Sequence, residues 1–374
     1  MGRQKRDVEA DTRALNTAQR LTGGSRGRHA AKKSVDNNQL FDAELTVDKG
    51  AARGALAQAN ELLDAASKTV AKITLAARRN EQIELAPLKS LVNQFIDSSS
   101  RSTNAMLWAL AVNTRMHYLH RRAVGSAVLA MTLGRFLGCE RAALQDLGLG
   151  GLLLDIGKVG VPITLLAKTG ELTDAEQSFT RRHVDESVRI LEAIDGLSPN
   201  IVEMVRSHHE RLDGSGYPAG LQGDEIPLNA QIAGIVDSFD ALCLSRYYAN
   251  GVSTHDALSA LNDERGKKFD ADLVDKFVCA VGVFPTGSWV ELDNGSMGVV
   301  YLQNRHDPMC PHVALIADSN QRPFLSARWL TLSDKNEVRA LEPAERPPYS
   351  VMMESSLQSS VYGTLPRKRS FLKR

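Results

Sequence analysis

From Thr103 to about Gly282 the apolar residues of this chain recur with helical period, and almost no segment alternates as a half-buried strand would. This confines the central part of the molecule to an all-α domain, built from stretches such as "RAALQDLGLGGLLLDIG", "DAEQSFTRRHVDESVRILEAI" and "NAQIAGIVDSFDALCLSRYY". The longest, "NAMLWALAVNTRMHYLHRRAVGSAVLAMTLGRFLG", reads as one helix, and the others include "PNIVEMVRSHHERLDG" and "THDALSALNDERG". Thr173 three residues before Glu176 has the form of a capping box, and Gly138 and Gly214 suit helix ends.

Upstream, Leu56, Ala59, Leu63, Ala66, Val70, Ile73 and Ala77 fall at steps of three and four, which predicts a long amphipathic helix with a heptad-like seam. Such a seam either packs within the chain, the preferred reading for an Ala-rich and short stripe, or joins two copies as a homodimer. "APLKSLVNQFIDSSS" predicts a second helix with Pro87 at its start, followed by a polar hinge from Asp97 to Ser102. After Pro285 the period changes: "GSWVELDNGSMGVVYL" centres a hairpin on Asn294-Gly295, and "HVALIAD" reads as a further strand. The expected organisation is a disordered basic tail at 1–46, a helical segment at 47–102, a helical-bundle domain at 103–284, a small β-rich appendage at 285–335 and a second tail at 336–374.

With 374 residues, 43% of them hydrophobic, the chain can bury a sizeable core. Lys plus Arg (45) almost equal Asp plus Glu (44), which excludes the global basic excess of a dedicated nucleic-acid-polymer binder. Cys139, Cys243, Cys279 and Cys310 are scattered with no CxxC pair, so neither a disulfide framework nor a thiolate zinc site is expected. No apolar run has membrane-spanning length, and a cytoplasmic location is the expectation.

The polar residues beside the apolar stripes of the helical region are of one kind. His120, His183, His208, His209, Asp237 and Asp240 border such stripes, and Asp155 follows the apolar run ending in Leu154. A single histidine on an apolar face is ordinarily a core residue bonded to a carbonyl, but so many imidazoles and carboxylates on separate helices need partners, and a divalent metal satisfies them together. Asp155, with two oxygens, is the natural bridge between two cations, and a metal pair of this kind activates water and clamps a phosphate. Directly after the two histidines, "HHERLDGSGYPAGLQGDEIP" packs glycines and prolines around Tyr217, either as a plain surface loop or, beside ligands, as a substrate lip.

The order of "DIGK" at 155–158, "RRH" ending at His183, "HHERLDGSGYP" at 208–218 and "DSFDAL" at 237–242 closely resembles the HD-GYP proteins, a subgroup of the HD-domain phosphohydrolases that hydrolyse the bacterial messenger cyclic di-GMP. The resemblance covers about residues 103 to 282 and implies a helical bundle carrying two divalent transition metals, iron or manganese. It implies one metal held by His120, Asp155 and Asp237, and a second held by Asp155, His183 and one or both of His208 and His209. It further implies Asp155 and Lys158 in catalysis, with Lys158 and Arg246 on substrate phosphates and Gly216, Tyr217 and Pro218 as the lip. The glutamate that supports a third metal in some relatives is Met116 here, so no trinuclear site is expected.

This chain departs from the pattern at the residue before Asp155, where the family's histidine is Leu154, and at Gln231 and Ala249, where relatives carry basic residues. Two functions therefore follow from the resemblance. One is a cyclic di-GMP phosphodiesterase with a weakened first metal, preferred because the second metal's candidate ligands survive. The other is an inactive cyclic di-GMP receptor or a module that docks on diguanylate cyclases.

Overall fold

The computed structural model describes residues 49–346 except 113–115, 167, 169, 245–250, 305–306, 308, 334–337 and 342–344. The expected N-terminal tail lies outside the described residues, as do Arg246 and Ala249. Of the second tail expected at 336–374, Val338–Ala340 instead form a strand of the C-terminal sheet and Leu341 is buried in the core, so the β unit extends beyond residue 335.

The chain opens with α1 (Lys49–Arg78), the predicted amphipathic helix. Its whole seam, from Leu56 to Ala77, is buried within one copy of the chain, against α2 (Leu85–Arg101), α3 (Thr103–Val112) and α4 (Tyr118–Phe136). The apolar stripe is spent on intrachain packing, so the homodimer expected as its alternative finds no free seam there. α2 runs through the expected hinge, because Ser98 and Ser99 are buried and the last turn stays hydrogen-bonded up to Ser102. The long stretch read as a single helix divides into α3 and α4.

α5 (Arg141–Leu153) lies tightly on α4: a Cβ on Gly151 would come within 2.5 Å of the Ala127 backbone, so only glycine permits that approach. It ends at Leu154, and a short 3₁₀ turn (Ile156–Gly160) follows. After α6 (Ile163–Leu166), the capping box forms as expected at α7 (Asp174–Arg181), with the Thr173 hydroxyl accepting from the Glu176 N–H and the Glu176 carboxylate accepting from the Thr173 N–H. The helix read across "DAEQSFTRRHVDESVRILEAI" breaks at Arg182, and α8 (His183–Glu192) begins at the histidine. α9 (Pro199–Ser207) ends just before the two histidines, and Gly214, at φ +76°, serves the following loop and not a helix end. α10 (Leu228–Cys243), α11 (Thr254–Asp263) and α12 (Ala271–Val281) complete the bundle.

Five antiparallel strands follow: β1 (Trp289–Leu292), β2 (Met297–Leu302), β3 (His312–Ala317), β4 (Pro323–Thr331) and β5 (Val338–Ala340), in the order β4-β3-β2-β1-β5. The hairpin turns at Asn294-Gly295 with Gly295 at φ +79°, a conformation glycine adopts without steric cost. The sheet is fastened to the bundle: Asn104 on α3 accepts from the Thr286 hydroxyl, and the Thr254 and Ser288 hydroxyls are 2.6 Å apart. One continuous apolar core extends from Leu56 to Leu341, so the units read separately in sequence share one interior. Among the described residues no helix is long and apolar enough to cross a membrane.

Candidate metal centre

Asp155 stands where α5 gives way to the 3₁₀ turn, which projects its carboxylate toward the start of α8 and the end of α9. The turn can approach α8 because residue 157 is glycine: a Cβ there would lie 2.1 Å from the His183 carbonyl oxygen. The Gly157 N–H donates to the Ser187 hydroxyl at 2.8 Å, locking the turn to α8.

Four side chains meet at this point. Asp155, His183, His208 and His209 each present a ligand atom, and these atoms lie within 4.8 Å of one another. The ring orientations are set from behind: His183 Nδ1 lies 2.7 Å from the Thr180 carbonyl and His208 Nδ1 2.7 Å from the Val205 carbonyl. With Nδ1–H donating to a carbonyl, each Nε2 keeps a bare lone pair turned inward, the arrangement in which metal-binding histidines are held. His208 Nε2 and Asp155 Oδ1 are buried without a hydrogen-bond partner, although they lie 4.0 Å apart. Burial holds His208 neutral, lowering its pKa to about 4, and burial with the neighbouring imidazoles holds that of His209 well below the usual histidine value.

These residues fit a divalent cation. Unsatisfied buried lone pairs are costly, at about 1–3 kcal/mol each. His183 Nε2 and His209 Nε2 are 3.3 Å apart, and two nitrogens each ~2.0–2.1 Å from one tetrahedral ion would be separated by roughly that distance. Three imidazoles and one carboxylate suit a transition metal more than calcium or magnesium.

The other side of Asp155 differs. Its Oδ2 accepts from Lys158 Nζ at 2.6 Å and lies 3.8 Å from Arg122 Nη2. Burial alone would raise the Asp155 pKa, yet Lys158, His183 and Arg122 hold the carboxyl well below the usual range. Asp237 on α10 is not in the four-residue group; its Oδ1 accepts from Arg122 Nη2 at 2.5 Å, and its carbonyl accepts from Arg122 Nη1. Next to it, Asp240 pairs with Arg121 at 3.2 Å and with Arg122 at 3.7 Å, while burial raises its own pKa.

His120 is outside the group too. At 100° per residue, positions 120 and 122 point to nearly opposite sides of α4. Arg122 therefore meets α10 while the His120 ring lies beside His117, with centroids 5.3 Å apart. Leu154, in the place of the family's histidine, is fully absorbed in the apolar core.

The loop after α9 is organised by Glu210, which sequence reading passed over. This buried carboxylate accepts from the N–H groups of Ala219, Gly220 and Leu221. Gly216 sits against the backbone of residues 209–211, where a Cβ would come within 2.4 Å of the Glu210 Cα. Tyr217, bonded to Pro218 through a cis peptide, stacks on His209 with centroids 4.6 Å apart, and the Arg181 guanidinium covers its ring at 4.7 Å. Burial raises the Tyr217 pKa, so its hydroxyl stays protonated. Gln231 donates to the Ile226 carbonyl, bracing the far end of the loop.

Beside the centre opens a cleft of about 280 Å³, with Arg122, Lys158, Lys168, His117 and Thr180 in its walls. Two of these cations, Lys158 and Arg122, also face Asp155, while Lys168 is paired with Glu176.

Comparison with known proteins agrees with this picture. Residues 103–273 match the HD domain family. Over 287 residues the chain is 32% identical to cyclic di-GMP phosphodiesterase PA4108 of Pseudomonas aeruginosa, covering 76% of this chain and 69% of that protein. The chain belongs to the HD-GYP family. Other HD-GYP relatives match over shorter spans: the cyclic di-GMP phosphodiesterase response regulator RpfG of Xanthomonas campestris is 36% identical over 140 residues, covering 37% of each chain. A 3'3'-cGAMP-specific phosphodiesterase of Vibrio cholerae is 36% identical over 160 residues, 43% of this chain and 37% of that one. The HD-GYP fold is shared with Bd1817, a solved HDG"Y"P protein from Bdellovibrio bacteriovorus, at TM-score 0.50 and 16% identity, over 63% of this chain and 73% of that one.

Proposed function

We propose that this chain is a metal-dependent cyclic di-GMP phosphodiesterase that opens the cyclic dinucleotide to its linear form or on to GMP. The observation that carries the reading is the group Asp155, His183, His208 and His209, in which Asp155 Oδ1 and His208 Nε2 are buried without a hydrogen-bond partner. These four residues would hold the ion, with iron or manganese the expected metal. A divalent cation bound there supplies Lewis acidity, lowering the pKa of water and polarising a phosphoryl oxygen.

The chain's own groups do the rest. Lys158 and Arg122, in the cleft wall next to the centre, neutralise the phosphate and its developing charge. Tyr217, its ring held between His209 and Arg181, offers a protonated hydroxyl, with Gly216 and Pro218 shaping the lip. Glu210 keeps that rim ordered by drawing three backbone N–H groups inward. Arg246 stands as a further phosphate contact on the resemblance alone.

The test is turnover by protein prepared anaerobically with manganese or ferrous iron, followed by chromatography of the products. Cyclic di-GMP should be converted and the His183→Ala variant should be inert; 3'3'-cGAMP in a parallel reaction reports selectivity. A second reading, binding of cyclic di-GMP without turnover with or without docking on a diguanylate cyclase, is favoured by two observations: Leu154 contributes no ligand, and Asp237 is already occupied by Arg122. Saturable binding in a titration with no product at any metal concentration selects it.

A further inference from the structure

The residues that the resemblance assigns to the first of two metals do not fit an ion. Leucine at 154 has no lone pair and is buried in the core. His120 is turned away, and Asp237 Oδ1 is already bonded to a guanidinium at 2.5 Å. The same guanidinium lies 3.8 Å from Asp155 Oδ2, the oxygen that faces away from the imidazoles. A positive group thus already stands between the two carboxylates.

We propose that Arg122 is a built-in replacement for one of the centre's two cations: its guanidinium, held between Asp237 and Asp155, occupies the place of the first metal, and the chain binds a single divalent ion on the other side of Asp155. This rests on the metal-dependent reading above.

Charge balance supports it. Arg121, Arg122 and Lys158 face Asp155, Asp237 and Asp240, so three cations neutralise three carboxylates before any metal arrives. A second divalent ion there would add positive charge to an already neutral cluster and would have to displace a buried, hydrogen-bonded arginine. Space for the cluster is reserved in the backbone: a Cβ at Gly125 would come within 2.4 Å of Arg121 Nη1 and 2.7 Å of Asp240 Oδ1. Bidentate, permanently charged arginine suits this position between carboxylates, where a lysine would offer only a point charge.

The replacement changes what the centre can do. Arg122 keeps the positive charge that attracts phosphate, and it cannot acidify water, so that task falls to one ion alone. It also makes the neutralising charge independent of metal supply.

The full chain, loaded anaerobically with manganese and desalted, should contain one manganese per chain by elemental analysis. Its low-temperature electron paramagnetic resonance should be the six-line spectrum of isolated ions. Two ions per chain, or the spectrum of an exchange-coupled pair, would overturn the inference while leaving the phosphodiesterase reading intact; zero would overturn both. The double variant Arg122→His with Leu154→His should rise to two ions per chain with an unchanged circular dichroism spectrum. A folded double variant that stays at one ion also overturns the inference, and if the variant does not fold, stoichiometry and spectrum of the natural chain still decide.

Discussion

The two oxygens of Asp155 look onto two different environments. On the Oδ1 side three imidazoles converge, with His183 Nε2 3.3 Å from both His209 Nε2 and Asp155 Oδ1, His208 Nε2 left without a hydrogen-bond partner, and no lysine or arginine among the four. On the Oδ2 side, Lys158 and Arg122 compensate the carboxylate, and Arg121 and Arg122 compensate Asp237 and Asp240. Burial is similar on both sides, so it does not distinguish them. What separates the two sides is the positive charge the protein supplies: Arg121, Arg122 and Lys158 face the carboxylates on the Oδ2 side, although Asp240 Oδ2 keeps no hydrogen-bond donor and lies 3.7 Å from Arg122. A cluster without compensating charge is costly to the empty protein and gains by binding a cation; one whose carboxylates are already neutralised gains little.

The contrast is broken most forcefully by Arg122→Met, which keeps the volume and removes the cation. Asp237 and Asp240 then lose their shared buried partner, and unfolding stability should fall by about 3–5 kcal/mol, read by urea denaturation of metal-free protein. Added manganese should recover part of that loss in the variant and leave the Oδ2 side of the natural chain unchanged.

On the opposite side, His208→Ala removes a bare Nε2 and should weaken metal binding by more than ~100-fold, since loss of a supporting residue alone costs 10–100-fold. Metal-free stability should fall only by the lost packing and the lost Nδ1 hydrogen bond to the Val205 carbonyl, the latter about 0.5–1.5 kcal/mol, because no bond on Nε2 exists to be broken. A metal titration of both proteins checks this.

Glu210→Ala tests whether the rim depends on either side. It releases the N–H groups of Ala219, Gly220 and Leu221 and should cost roughly 1–3 kcal/mol. Nucleotide affinity should drop while metal stoichiometry stays at the natural value. The smallest effect is expected at Thr173→Ala, which removes the α7 cap for about 1 kcal/mol, seen as a lower melting temperature, and leaves metal content alone.

Much of the fold could be read from local pattern. The α1 seam, the capping box at Thr173 and the hairpin at Asn294-Gly295 are short-range features whose physics is complete within a few residues. Where expectation failed, long-range packing decided. Polar residues from Asp97 to Ser102 read as a hinge, but α2 continues because Ser98 and Ser99 are buried against neighbours. The stretch from Asn104 to Gly138 keeps one period, and nothing in its spacing marked the division between α3 and α4.

The candidate site divides the same way. Asp155, His183, His208 and His209 were recoverable because motif order and residue chemistry both marked them, and the structure brings those four together. His120 and Arg122 sit two residues apart on one helix, and residue type favoured the histidine. Glu210 carried only a weak signal, a charged residue inside a glycine-rich loop.

By itself, then, the sequence determined the helical class, the imidazole-rich chemistry and the absence of a ligand at Leu154, since these follow from residue type and local period. Only the tertiary structure decided which face of α4 meets α10. The rotation of a helix about its axis is set by packing across the whole core, and here that packing delivers a guanidinium, not an imidazole, to Asp155 and Asp237.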